Sequence, residues 1–560
     1  MKLYKEVINK YKKMIIFYVL IGIIIHFLNV YEINLFQKIL DSFEIGNLTL
    51  GLIIFYGMIM LINQIIGYIE NYPEQQLKNG LPLSFKLQAL KKMKTIEYSE
   101  YQKLGTGIIS QRVQEGSIAA ADSLMNYHFK LIRYLIPTAL FSLIYIASIN
   151  IKLLFIVLIG YIFVMIITKI LLKKLYSIKE KVLVSSEILN KHLIRCFMEL
   201  VVFRTNKKYD SEIKITDKGI KNIVDGKTKI KLIHEIFFTA FGMIVAILKI
   251  VMLVYVFYSN NLTLGEIVAI ITLLSKAYEP IAIFNVEYID YKLNKQAINR
   301  YIKLLDLKDT TNIDNGLKIK DIKKIEIKDV YFSYPNKQVL NNINLTIKEN
   351  ESVAFVGETG SGKSTIIKLI TGLIKPKEGQ VLIDNEDLKN IDLNSYYDSL
   401  TYISQDSIIF DGTLKENIVF NKKVSDEQIE KVLELVCLKE FYDKLPDGLD
   451  TELGEKGILV SGGERQRIAL ARIFFDDSKF VILDEATSAM DNITEKQVMK
   501  NLNQLEAKTF IVVAHRLNTI KNIDKIFIVL NGKIQDYGTY NELEEKNDYF
   551  KQLTLKEKIK

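Results

Sequence analysis

The sequence predicts a multidomain chain: an all-α, six-helix transmembrane part followed by an α/β part built around a phosphate-binding loop. Three observations predict it. At 560 residues, 49% hydrophobic and a mean hydropathy of +0.14, the chain is too long for one domain and too apolar for an ordinary soluble enzyme. The long apolar runs are confined to the first half. After about residue 305 the pattern changes to short strands, glycines and charged helices, with GETGSGKST at 357–365 set between a strand and a helix.

The formal net charge of +9 raises the possibility of nucleic acid. The lysines and arginines are spread along the chain, however, and many flank apolar runs, so they read as membrane-proximal cations and no nucleic-acid partner is expected. Cys196 and Cys437 lie far apart in stretches expected to be cytosolic, which supports neither a disulfide framework nor a zinc site.

A helix needs about 20 apolar residues to cross the hydrocarbon layer. Six runs meet this, approximately 14–35, 50–69, 129–149, 153–172, 236–258 and 265–285. The first follows Lys2, Lys5, Lys10, Lys12 and Lys13, as a signal peptide would, but it is longer than a signal core and has no small-residue cleavage site, so it is kept as a span. Connections alternate short and long. The long ones, near 70–128 and 173–235, are charged and helix-like, whereas the short ones carry little positive charge beyond Lys38 and Lys152. The positive-inside rule therefore puts the N-terminus, both long loops and the C-terminal half in the cytoplasm. Local turns are expected at 107–116 and 196–206. The second carries an apolar cluster of Phe197, Met198, Leu200, Val201, Val202 and Phe203, which suits a docking surface.

Polar groups inside the spans need reasons, because a charge at mid-bilayer costs about 2.5 to 3.5 kcal/mol even on insertion scales. Lys249, Lys276 and Glu279 stand out. Lys276 and Glu279 share a helical face beside Pro280, where they either neutralise one another or line a substrate path. His26, Asn63 and Gln64 suit interhelical hydrogen bonding.

In the second half, KIEIKDVYF, NINLTI and SVAFV read as strands, the last leading into Gly357, Glu358, Thr359, Gly360, Ser361, Gly362, Lys363, Ser364 and Thr365 and then an apolar helix. In this order glycines let backbone N–H groups close on phosphates. The helix N-terminus adds its dipole, Lys363 reaches terminal phosphates, and Ser364 suits a magnesium ion. FVILDE at 480–485 is a buried strand ending in two carboxylates; Asp484 suits magnesium held through water, and Glu485 suits orienting an attacking water. A second glycine-rich stretch, LVSGGERQR at 459–467, opens another helix, although the first loop already serves for phosphate.

Taken in order and spacing, GETGSGKST, YISQD, LVSGGERQR, FVILDE, SAMD and AHR resemble the ATP-binding cassette of ABC transporters, and the six-span layout resembles the exporter-type membrane domain of that superfamily. The resemblance implies a membrane domain at 1–303 with two long cytoplasmic loops, a linker at 304–322 and a cassette at 323–560. It implies ATP and Mg2+ as cofactors. Tyr334 would stack on adenine, Gln405 would touch magnesium and the water, and His515 would hold the γ-phosphate beside Glu485. Ser461, Gly462, Gly463 and Glu464, with Asp491, would meet ATP held by a second cassette, so that two chains are required. One cassette with six spans is similar to a half-transporter. Intact Lys363, Glu485, His515 and signature residues favour a homodimer over a heterodimer.

Val460, Glu464 and Met490 depart mildly from the common exporter residues, and Gly116 stands where many exporters have an acidic residue. The expected activity is ATP-driven export of an amphipathic small molecule, lipid or peptide by alternating access. Import of, for example, a metal chelate by an exporter fold, or an ATP-gated channel or sensor, are the alternatives. No peptidase-like domain precedes the first span, so a fused leader-processing function is not expected. The Lys-, Ile- and Asn-rich composition agrees with an AT-rich bacterial genome, making the cytoplasmic (inner) membrane of a bacterium the expected bilayer.

Overall fold

The computed structural model describes residues 2–198, 200–259, 262–335, 337–420, 422–454, 460–505, 507–514 and 516–559. The chain divides into two compact units, Met1–Lys94 with Leu104–Leu307, and Thr95–Lys103 with Lys308–Lys560.

In hydrocarbon every backbone N–H and C=O must be satisfied inside its own segment, so the apolar runs form long helices. These are α1 (Lys2–Ile45), α2 (Leu50–Thr95), α3 (Tyr98–Ile149), α4 (Ile151–Met198), α5 (Leu200–Thr205), α6 (Tyr209–Ser259) and α7 (Leu264–Leu305). Among the described residues α1, α2, α3, α6 and α7 are long and apolar enough to cross a membrane. The remaining expected span, 153–172, falls in α4, whose described apolar run is Ile151–Val164. A capping box starts α7: Thr263 Oγ1 accepts from Glu266 N while the Glu266 carboxylate accepts from Thr263 N.

Close helix approach in the first unit depends on glycines that seat tyrosines. A Cβ on Gly116 would overlap Tyr301, and one on Gly160 would overlap Tyr278. Those two tyrosines are fully buried and donate to the backbone of neighbouring helices, Tyr301 to Phe85 O at 2.6 Å and Tyr278 to Val157 O at 2.5 Å. Gly116, the position without the acidic residue, is thus a packing seat. Gly80 receives the Tyr11 hydroxyl in the same manner. Asn63 bonds across helices as expected, donating to Asn29 Oδ1 and Glu32 Oε1, each at 2.9 Å.

The first long loop differs from its expected form. Residues 107–116 continue the helix, and the break comes earlier, at Gly105, whose φ of 73° and ψ of 157° favour a residue without a Cβ. The junction of α2 and α3, Thr95–Lys103, belongs to the second unit. There Glu97 N donates to Lys308 O at 2.9 Å, Thr310 N donates to Thr95 O at 2.7 Å, and Tyr98 packs against the sheet core. The polar stretch 308–321 is likewise fixed: Asn312 Nδ2 donates to Leu388 O and Ile391 O, both at 2.9 Å. In the second long loop Phe203 is buried, while Phe197, Val201 and Val202 stay exposed on and beside α5.

Two sheets build the second unit. The antiparallel one has the order β2-β1-β4-β5, from β1 (Lys324–Tyr334), β2 (Lys337–Lys348), β4 (Glu378–Ile383) and β5 (Glu386–Asp387). The other has the order β10-β9-β3-β8-β7-β6, from β3 (Val353–Val356), β6 (Leu400–Ile403), β7 (Phe480–Asp484), β8 (Thr509–Val513), β9 (Lys525–Leu530) and β10 (Lys533–Gly538). Strands β3, β7 and β8 are buried along their whole length, as expected of parallel strands covered on both faces.

The Gly80 seat is testable. A Cβ there would stand 2.5 Å from the Tyr11 hydroxyl oxygen. Gly80→Ala should cost about 1 to 3 kcal/mol through overpacking, read as a lower unfolding midpoint in detergent. In a Tyr11→Phe background at least half of that cost should disappear; additive costs would refute the contact.

Candidate active site

Parallel register assembles the site. Val513 on β8 lies level with Phe355 on one side and Asp484 on the other. Ala514 N donates to Phe355 O at 3.3 Å and Glu485 N donates to Val513 O at 3.2 Å. The loop after β3 and the carboxylates after β7 therefore leave the sheet together at its carboxyl edge, where ligands bind in open α/β sheets.

After β3 the chain turns through Gly360 (φ 84°) and Gly362 (φ 113°), the latter preceding α8 (Lys363–Ile370). Lys363 is buried, and its Nζ donates to Gly357 O at 2.8 Å and Glu358 O at 2.9 Å. Burial holds this ammonium below the usual lysine range, against the opposing pull of the Glu485 and Asp484 carboxylates. Ser361 Oγ is buried without a hydrogen-bond partner among the described residues, a donor that a phosphate oxygen would satisfy.

Asp484 faces this loop. Ser364 Oγ donates to its Oδ1 at 3.5 Å and Tyr402 OH to its Oδ2 at 3.3 Å. Burial pushes the Asp484 carboxyl above the usual range, with Glu485 adding to the rise and Tyr402, Lys368 and Ser364 opposing it. A hydroxyl and a carboxylate so placed form the hard oxygen set that Mg2+ takes. Glu485, the next residue, has φ of 53°, in the left-handed region that costs a side chain about 1 kcal/mol or more. Beside it lies a cavity of about 280 Å³ lined by Glu485, Ser488, Glu495, Ala514 and Arg516. His515 lies outside the described residues; its neighbour Arg516 donates to buried Glu495 at 2.7 Å.

LVSGGERQR is described from Val460 onward. Ser461 caps α9 (Gly462–Ala471) in a capping box: its Oγ accepts from Glu464 N at 3.3 Å, and Glu464 Oε2 accepts from Ser461 N at 2.7 Å. Glu464 thus turns back on its own helix. No hydrogen bond or ion pair among the described residues joins Ser461, Gly462 or Gly463 to the phosphate-binding loop. Asp491 caps α10 (Asn492–Leu502), accepting from Ile493 N and Thr494 N, and the Thr494 bond leads in holding its carboxyl below the usual range. Gln405 is exposed just after β6, and Tyr334 is half-buried at the end of β1 against Phe332.

Gln466 braces the site in a way that motif reading misses. It is buried, donates to Ser488 Oγ at 3.1 Å and accepts from Ala489 N at 2.8 Å, tying α9 to the turn after Glu485. Its position inside the signature was visible; its reach across to residues 488 and 489 was not.

Residues 340–488 match the family model described as ABC transporter. The uncharacterized ABC transporter ATP-binding protein YwjA of Bacillus subtilis (strain 168) is 37% identical over 301 residues, 52% of each chain. The ATP-dependent lipid A-core flippase of Shigella flexneri is 36% identical over 299 residues, 52% of this chain and 51% of that protein. The solved structure of a bacterial Atm1-family ABC exporter with ATP bound superposes with a TM-score of 0.83 over 98% of both chains at 20% identity. Residues 340–488 thus form an ABC-transporter cassette domain, and the chain as a whole shares the fold of an exporter-type membrane domain fused to a cassette. The matched region spans about half the length of these curated relatives, and the structural likeness carries the fold of the whole chain. With five described helices long and apolar enough to cross a bilayer, the chain is an integral membrane protein.

Two substitutions check the geometry. Glu485→Gly should unfold about 1 kcal/mol later than Glu485→Gln, because only glycine is unstrained at that φ; equal midpoints would remove the strain. Gln466→Leu should cost about 0.5 to 1.5 kcal/mol for each of the two bonds it removes, since the exposed Ser488 and Ala489 can turn to water, measured by thermal unfolding.

Proposed function

We propose that two copies of this chain hold ATP between their cassettes and use its hydrolysis to export an amphipathic small molecule, lipid or peptide. The bilayer is the cytoplasmic membrane of a bacterium, with the N-terminus and cassette on the cytoplasmic side. One observation carries the reading. Register at Val513 brings Lys363, Asp484 and Glu485 to one edge, whereas among the described residues Ser461, Gly462 and Gly463 at the capped N-terminus of α9 make no bond to the phosphate-binding loop there.

The loop 357–365 would cradle the phosphates with its amides and Lys363, and Tyr334 would stack on adenine. Ser364, Gln405 and Asp484 would hold Mg2+, which neutralises phosphate charge when bound. Glu485 would accept the proton of the attacking water while His515 fixes the γ-phosphate. The second chain's copies of Ser461, Gly462 and Gly463 would present helix amides to that same phosphate, with Asp491 beside them. ATP acts by binding the closed pair more tightly than the open one, which shifts the population. Exposed Phe197, Val201 and Val202 would carry closure from a cassette to the spans. The Shigella flexneri relative is by name an ATP-dependent flippase of lipid A-core, which supports export of an amphiphile.

Glu485→Gln should keep ATP binding and accumulate a nucleotide-locked dimer while phosphate release collapses; turnover near that of the parent removes Glu485 from the base role. Ser461→Arg should leave ATP binding to the loop intact but abolish both dimer closure and hydrolysis, read by nucleotide binding beside cross-linking of the two cassettes. Hydrolysis surviving in Ser461→Arg would refute the composite site.

A further inference from the structure

The membrane unit contains a polar constellation that the nucleotide chemistry does not use. Its base is a widened stretch of α3, where residues 123–129 and 131–135 adopt π-helical turns. Such turns are rare and gather at functional sites. Every charged side chain on the second half of this stretch is matched: Lys130 pairs with Glu287 at 2.7 Å, and Arg133 pairs with Glu70 and lies over the Tyr18 ring. Gly22 makes room for Arg133, since a Cβ there would stand 2.6 Å from its Nε.

Two charges on α7 are not matched in that way. Lys276 makes no ion pair or hydrogen bond among the described residues. Glu279 does not pair with Lys276 either. Its Oε1 accepts from Tyr134 OH at 2.6 Å, and Tyr134 packs on His26 with ring centres 4.6 Å apart. A cation and a carboxylate are thus held apart on one helix face, about 4.5 Å of axial rise from each other. Leaving both in a bilayer costs several kcal/mol unless something completes them.

A separate aromatic shelf lies farther along α7, about 120° to 180° round the helix from Glu279. Phe284, Tyr288 and Tyr291 recur at helical spacing, and Tyr127 of the π-helical stretch stacks on Tyr291 at 4.4 Å. All four rings are half-buried. The shelf already holds one cation, with Lys292 Nζ 4.8 Å from the centre of Tyr288.

We infer that the face of α7 bearing Lys276 and Glu279, with the π-helical stretch of α3, binds the head group of a zwitterionic amphiphile. Its anionic group pairs with Lys276. Its ammonium lies against the Glu279 carboxylate, beside the Tyr134 ring that bonds it and the His26 ring packed on Tyr134. The inference rests on the transport reading and supplies its substrate class.

The test uses the purified full chain in neutral maltoside micelles, with ATPase stimulation expressed relative to each variant's own basal rate. The probes are three single-chain amphiphiles of equal length: lysophosphatidylcholine, lysophosphatidylglycerol and an alkyltrimethylammonium. Lysophosphatidylcholine should stimulate at the lowest concentration. Lys276→Gln should raise the half-maximal concentration of the two phosphate-bearing probes by about tenfold and leave that of the cationic probe alone. Glu279→Gln should do so for the two ammonium-bearing probes only, and Lys276→Arg should restore the parent response. A singly charged probe acting at equal or lower concentration than lysophosphatidylcholine overturns the inference, as does a shift of all three probes alike in either variant. Basal turnover with no response to any probe also overturns it. Absence of basal ATP turnover in the parent chain would instead bring down the transport reading itself.

Discussion

The parallel pairing of β8 with β3 and β7 is the constraint on which the nucleotide chemistry depends. Because Phe355 and Asp484 both lie level with Val513, the phosphate-binding loop and the acidic pair emerge at one height. A slip of one residue in either ladder would move each side chain to the opposite face of the sheet. Lys363 would then lose the two carboxylates that offset its burial, and Ser364 would lose Asp484. Hydrophobic burial of three whole strands enforces this register, so the polar geometry is secured by residues that carry no chemistry.

In the membrane unit the corresponding constraint is the cost of unsatisfied polarity. Buried tyrosines meet it by reaching the backbone of neighbouring helices across glycine seats. Asn63 meets it through Asn29 and Glu32, and Arg133 through Glu70 and Tyr18. Against this background of matched groups, the separation of Lys276 from Glu279 gains its meaning.

Much of the second unit was legible in the sequence. Strand, glycine loop and helix followed from composition and spacing, and the two carboxylates that end FVILDE stand where a buried strand must release them. The layout of apolar runs was legible for the same reason, since hydropathy is a local property. What escaped was tertiary. Residues 107–116 contain glycines yet remain helical, and the break falls at Gly105, where the backbone takes a conformation no spacing rule foretells. The bonds of Gln466 to residues 488 and 489, and the engagement of Glu279 by Tyr134 rather than Lys276, depend on which helices meet. The left-handed backbone of Glu485 likewise belongs to the fold rather than to glutamate, whose own preference runs against it.

The excursion of residues 95–103 gives the chain an unusual history during synthesis. Thr95 and Asp309, which share a hydrogen bond, are separated by 214 positions. The segment that completes the second unit is therefore made early and must wait, with its N–H and C=O groups facing water, until several further helices have been laid down. At about 5 to 20 residues per second, that interval is on the order of ten seconds or more. A cassette begun at residue 308 would start life without the partner strand segment that Thr310 and Lys308 bond to. The nine residues act as a sewn edge: the soluble unit closes only after the N-terminal half has already been threaded, which ties its maturation to that of the membrane helices in one order.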